Sequence, residues 1–67
     1  MKKILTNREK EIFDLLVLGY STYSISNKLK ISVKTVRNHI SNVINKLEVC
    51  DRTQAIIELI KLDELKI

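Results

Sequence analysis

A chain of 67 residues with a formal net charge of +4 and 45% hydrophobic residues has room for one small domain; a domain this short buries only roughly 60% of its unfolded surface, so its core is modest. Cys50 is the only cysteine and His39 the only histidine, which excludes an intrachain disulfide and leaves no ligand set for a metal. The longest apolar run, Leu15–Leu18, is too short to span a bilayer and nothing resembles a signal peptide, so a soluble cytoplasmic protein is expected.

The first helix is announced by Thr6-Asn7-Arg8-Glu9, which has the spacing of a capping box: hydroxyl and carboxylate can each satisfy an orphan backbone donor. Ile12, Leu15 and Leu16, with Phe13 and Val17 beside them, supply a buried face, and Gly19 is the natural stop, giving a helix over about 7–18. Ser21 caps a second, short helix, about 22–29, with Ile25 and Leu29 one turn apart on its inward side. Lys30-Ile31-Ser32 breaks it, and Ser32 caps a third helix, about 33–47. There Val33, Val36, Ile40, Val43, Ile44 and Leu47 recur at steps of three and four, and Glu48 or Val49 ends the element. Asp51 caps a fourth helix, about 52–63, through Ala55, Ile56, Leu59 and Leu62. A short helix, a tight turn and a longer helix form the outline of a helix-turn-helix. With no proline, one glycine and no repeat or linker, the expectation is a single all-α, four-helix domain over residues 1–67, with Cys50 a small, partly buried hydrophobe.

Charge is placed unevenly. Between Leu15 and Leu47 there is no carboxylate, yet Lys28, Lys30, Lys34, Arg37 and Lys46 all fall there; the cations and carboxylates outside nearly cancel. A one-signed central patch suits a polyanion. At 100° per residue, Lys34, Arg37, Asn38, Ser41 and Asn45 of the third helix share an arc of about 100° opposite its apolar stripe, with Thr35, His39, Asn42 and Lys46 flanking it. An α-helix fits the B-DNA major groove; Arg can donate twice to guanine, and Asn can both donate to and accept from adenine. Arg37, Asn38 and Ser41, central in the N-terminal half, are the candidates for base contacts. Lys34, Thr35, His39 and Lys46 at the edges, Tyr23 and Lys28 on the second helix, and Ser32 at the helix N-terminus are the candidates for phosphate contacts.

The elements Leu5-Thr6-Asn7-Arg8-Glu9, Gly19-Tyr20-Ser21, Ile25, Leu29, Ile31-Ser32, Lys34-Thr35-Val36-Arg37-Asn38-His39, Lys46-Leu47, Val49, Arg52 and Ala55 together resemble the LuxR-type helix-turn-helix domain over residues 5 to 65. Within that family, the run from Lys34 to Asn42 and the tail from Glu58 to Leu65 are similar to a small stand-alone sporulation regulator. The resemblance implies four helices, the third reading DNA and the fourth forming a homodimer contact, no enzymatic activity and no metal or cofactor. It also supports base contacts at Arg37, Asn38 and Ser41, and implies double-stranded DNA and RNA polymerase as partners. Three positions depart from the family pattern: Tyr23 replaces a basic residue, Ser24 a Glu, and Glu48 a Gly that often terminates the third helix.

The fourth helix has more apolar surface than one core contact needs, since Ile57 and Ile60 widen the arc beyond Ile56. Ile56, Ile57 and Ile60 are therefore the candidate dimer interface, which would set two recognition helices about 34 Å apart on DNA. The competing expectation is a helical protein-interaction module whose basic face is incidental. Structured RNA is disfavoured, because its deep major groove excludes a helix and the basic face lacks stacking aromatics. Taken as complete from Met1, the chain has no room for a receiver or ligand-sensing domain, and its activity is expected to follow its abundance.

Overall fold

The computed structural model describes residues 4–66. Four helices follow in order, α1 (Asn7–Val17), α2 (Thr22–Leu29), α3 (Val33–Leu47) and α4 (Arg52–Lys61), and the described residues contain no strand. Each helix begins at a side-chain cap that accepts from the backbone N–H three residues on: Thr6 from Glu9, Ser21 from Ser24, Ser32 from Thr35 and Asp51 from Gln54. At α1 the box is complete, because Glu9 Oε1 also accepts from the Thr6 N–H at 2.9 Å. Ser24, standing where the family pattern has Glu, turns its own hydroxyl to Ser21, which donates to it at 3.1 Å.

The helices also end alike. After each comes a residue with positive φ, at Gly19 (95°), Lys30 (57°), Glu48 (56°) and Asp63 (63°). The next N–H reaches back to a carbonyl of the last turn in every case: Tyr20 to Leu15, Ile31 to Ser26, Val49 to Ile44 and Glu64 to Leu59. Such turns satisfy carbonyls that would otherwise lack a donor, and glycine makes them most cheaply. Only the first of the four uses glycine, and no atom lies within 4 Å of a Cβ built there, so its backbone angle alone explains the residue. At Glu48 the left-handed turn is made by a residue with a Cβ and is therefore strained.

One core lies between the helices. Ile12 and Phe13 of α1, Ile25 of α2, Val36, Ile40 and Val43 of α3, and Ala55 and Leu59 of α4 are buried together, with Leu5 and Leu65 closing the cluster from the flanking segments. Burying each larger side chain contributes about 1.5–3 kcal/mol. α3 packs on α1, α2 and α4 alike. Several expectations are corrected here. Leu62 caps α4 and stays 41% exposed, because the chain reverses at Asp63 and Leu65 takes the inward position instead. Leu15, Leu16 and Val17 are only half-buried, and the centre of the buried face of α1 is Glu9, Ile12 and Phe13. Cys50 is exposed, since it lies in the turn between α3 and α4 rather than on a packed helix face.

Glu9, 4% exposed, is the one carboxylate in that core. Lys46 in the last turn of α3 reaches it, with Nζ donating to Glu9 Oε1 at 2.7 Å and to the Ile4 carbonyl at 2.9 Å. A buried carboxylate without a cation would be costly, so this pair ties the C-terminal end of α3 to the start of α1. Burial pushes the Glu9 carboxyl pKa up, but the Lys46 hydrogen bond, the Thr6 N–H and the Lys46 charge outweigh it and hold the value below the ordinary 4.5.

Two predictions follow from these contacts. Glu48→Gly removes left-handed strain from an exposed position, so it should raise stability by about 0.5–1 kcal/mol, partly offset by unfolded-chain entropy; thermal unfolding should show a Tm increase of about 2–6 °C. For Glu9, a folded pKa below the unfolded one contributes stability that is complete above 4.5 and lost as pH falls through the folded value. Glu9→Gln should cost about 2 kcal/mol at pH 7. In urea unfolding from pH 7 downward, the gap between wild type and Glu9→Gln should narrow below pH 4.5; a constant gap would show that the charge on Glu9 is not what stabilises the fold.

Candidate nucleic-acid interface

The turn of residues 30–32 joins α2 to α3, and the left-handed Lys30 lets the chain reverse within it. α3 spends one side on the core through Val36, Ile40 and Val43, with Val33, Ile44 and Leu47 half-buried at its margins. The opposite side presents Lys34, Arg37, Asn38, Ser41 and Asn45, all exposed. None of the 15 residues of α3 is acidic, and among the described residues no carboxylate pairs with Lys34 or Arg37. Their donors therefore point to solvent uncompensated.

At the N-terminal end of α3, Ser32 Oγ accepts from the Thr35 N–H at 3.0 Å and lies 2.9 Å from the Thr35 hydroxyl. Ser32 is exposed, whereas Thr35 and His39 are half-buried along the flank. On α2, Tyr23 is 67% exposed, and Lys28 carries its ammonium 5.9 Å from the centre of the Tyr20 ring. This contact orients a long side chain beside the α2–α3 turn. Lys46 is placed differently from the sequence expectation: its ammonium is engaged by Glu9 and the Ile4 carbonyl rather than directed outward alone.

One edge of the face opens into a groove of about 400 Å³, floored by Ile40 and Ile44 and rimmed by Arg37, Ser41, Cys50, Asp51 and Arg52. The groove brings Arg52 to the rim shared by two candidate base-contact residues, a position for which sequence reasoning had no role. A signal was present. Arg52 opens α4, where the helix dipole disfavours a cation, so its placement there runs against local stability. The apolar candidates on α4 form a separate group, with Ile57 50% exposed and Ile56 and Ile60 half-buried against the core. Among the described residues, no helix is long and apolar enough to cross a membrane, and no three His, Cys, Asp or Glu side chains cluster to hold a metal.

Comparison with known proteins places this geometry. Residues 3–59 match the family described as GerE, bacterial regulatory proteins, luxR family. The chain is 52% identical over 66 residues to the spore germination protein GerE of Bacillus subtilis (strain 168), covering 98% of this chain and 89% of that protein. It is 50% identical over 64 residues to the transcriptional regulatory protein DegU of Brevibacillus brevis, covering 96% of this chain but only 27% of DegU. For the response regulator protein VraR of Staphylococcus aureus (strain NCTC 8325 / PS 47) the identity is 51% over 55 residues, with 82% of this chain and 26% of VraR covered. A solved structure of the transcription factor GerE superposes with a TM-score of 0.94 at 63% identity, covering 97% of each chain. With four capped helices, an acid-free outward face on the third and this agreement along its length, the chain belongs to the luxR family of bacterial regulatory proteins.

Proposed function

We propose that this protein is a sequence-specific DNA-binding transcription regulator that lays α3 in the major groove and acts as a homodimer. The observation that carries the proposal is the exposed arc of Lys34, Arg37, Asn38, Ser41 and Asn45, free of carboxylates and backed by the buried Val36, Ile40 and Val43. A side chain reads a base edge only from a rigid support, and the packing of α3 on three helices supplies that support. Arg37, Asn38 and Ser41 read bases; Tyr23, Lys28, Ser32, Lys34, Thr35 and His39 contact phosphates. We add Arg52 to the phosphate set, supported by its place on the groove rim beside Arg37 and Ser41. Lys46 we reassign to holding α3 against α1, because two of its three donors are already used. The likeness to the spore germination protein GerE supports spore-related target genes, and DNA as substrate supports action in the cytoplasm.

Ile57 is the centre of the proposed dimer contact, with Ile56 and Ile60 beside it. An isoleucine half exposed on a small domain gains from a twofold copy of itself, and the pairing sets two α3 helices on successive turns of one DNA face.

Selection of duplexes from a random pool, followed by titration at two salt concentrations, tests the reading. Arg37→Ala should lose about 1–3 kcal/mol on the selected duplex and relax preference at one base position. Lys34→Ala and Arg52→Ala should weaken selected and random duplexes alike and lower the salt slope by about 1. Equal losses on both duplexes for Arg37→Ala would assign it to phosphate. Salt-independent binding no tighter than millimolar would favour the protein-interaction module instead. In sedimentation of the chain with the selected duplex, Ile57→Asp should halve the protein stoichiometry; an unchanged complex removes Ile57 from the interface.

A further inference from the structure

The segment Ile4–Leu5 is gripped from both sides. Its Ile4 carbonyl accepts from Lys46 Nζ of α3 at 2.9 Å. Its amides turn the other way, to the carboxylate of Glu64: the Ile4 N–H donates to the two oxygens at 3.1 and 2.9 Å, and the Leu5 N–H to Oε1 at 3.1 Å. Each pole of the peptide meets the charge that suits it, an anion on the N–H groups and a cation on the carbonyl. Glu64 reaches this place because the chain reverses at Asp63 after α4, and Leu5 and Leu65 are buried beside the contact. Glu64 itself lies outside residues 3–59, the stretch that the family model matches, while its partners Ile4 and Leu5 lie inside it.

From this arrangement we infer that Glu64 is a positioning residue for DNA reading: through Ile4–Leu5 and Lys46 it fixes the tilt of α3 against α1 and the end of α4. The inference rests on the DNA-reading role proposed above. Geometry makes the effect large enough to matter. Arg37 lies nine residues along α3 from Lys46, about 13 Å at 1.5 Å per residue. A tilt of about 5° at the Lys46 end therefore moves the Arg37 backbone by about 1 Å, enough to spoil a two-bond contact with a base. Removing Glu64 frees the Ile4 carbonyl, one of the two groups that hold Lys46, whereas the Lys46–Glu9 pair and the apolar stripe of α3 stay in place. Reading should loosen before folding does.

The test uses the full chain, a duplex selected by the wild type and a random duplex of equal length, under conditions where circular dichroism shows each variant folded. Glu64→Ala should lose about tenfold on the selected duplex, keep its affinity for the random one or gain slightly from the lost negative charge, and keep its salt slope. Lys46→Met, which also leaves Glu9 without its cation, should lose at least as much discrimination, and adding Glu64→Ala to it should cost little more, since Glu64 acts on α3 through Lys46. Glu64→Gln retains an acceptor for the two amides and should restore part of the loss; it also serves as the variant of record should Glu64→Ala not fold. Equal weakening on both duplexes, or full additivity with Lys46→Met, overturns the positioning role. So does an unchanged ratio of selected to random affinity in a wild type that discriminates. A wild type that prefers no duplex over random DNA refutes the DNA-reading proposal itself, a different failure.

Discussion

Burial of a single stripe on α3 is the constraint from which the rest of the architecture descends. Val36 and Val43 are fully buried and Ile40 nearly so, and α1, α2 and α4 each contribute to covering them. Once three helices occupy that side, the remaining arc must be solvent-exposed, and only residues that tolerate water can stand there. The face that results is unusual in what it lacks. A solvated helix commonly carries Glu four residues from Lys, because such pairs stabilise it by a few tenths of a kcal/mol, roughly 0.2–0.5. α1 does this, with Lys10 and Asp14 3.1 Å apart, while α3 forgoes every such pair. Among the described residues such pairs occur only on α1, and α3, the longest helix and the one packed on all three others, carries no carboxylate with which to make one.

The helix ends turn this packed stripe into a defined shape. Lys30 and Glu48 occupy left-handed backbone conformations that cost a residue with a Cβ about 1–2 kcal/mol. Such strain persists where the surroundings over-determine the turn. Here the residue just after each, Ile31 or Val49, packs against the core, so the chain must reverse at that point for the apolar side chain to arrive. The connections before and after α3 are thus set by core contacts on both sides, with turn propensity overridden.

What could be read from the residues alone divides along sequence separation. The caps at Thr6, Ser21, Ser32 and Asp51 each involve a partner three positions away, so local spacing identified them and the helix starts with them. The apolar period of α3 likewise contains its own answer, because a stripe at steps of three and four has one way to face inward. Leu62 was misjudged because its inward orientation required α4 to continue, and the reversal at Asp63 stopped it. The clasp of Lys46, Glu9, Ile4, Leu5 and Glu64 was invisible for a sharper reason. Its hydrogen bonds join residues 37 to 60 positions apart, and no local pattern distinguishes a lysine that folds back from one that points to solvent. Arg52 was missed in the same way, since the groove it shares with Arg37 exists only after α4 has docked. The shared exposure of Lys34, Arg37, Asn38, Ser41 and Asn45 was legible from the same period, because a residue opposite the apolar stripe has only solvent to face.

The electrostatic consequences bound how such a domain can work. Of the five central cations, Lys46 is matched by Glu9, which leaves Lys28, Lys30, Lys34 and Arg37, joined at the groove rim by Arg52. With Arg37 given to a base, a protomer neutralising about three or four phosphates loses roughly 40- to 150-fold in affinity between 50 and 200 mM salt. Charge of this size brings the protein to DNA without holding it there. On the proposed function, retention therefore falls to the base contacts and to pairing of two protomers, whose contributions multiply when both half-sites are engaged. That multiplication requires each α3 to sit at a fixed angle to α4, because α4 sets the spacing between copies while α3 must meet the bases. A carboxylate at the end of α4 that reaches, through two residues of the N-terminal segment, to the last turn of α3 joins the two elements whose relative angle carries that requirement.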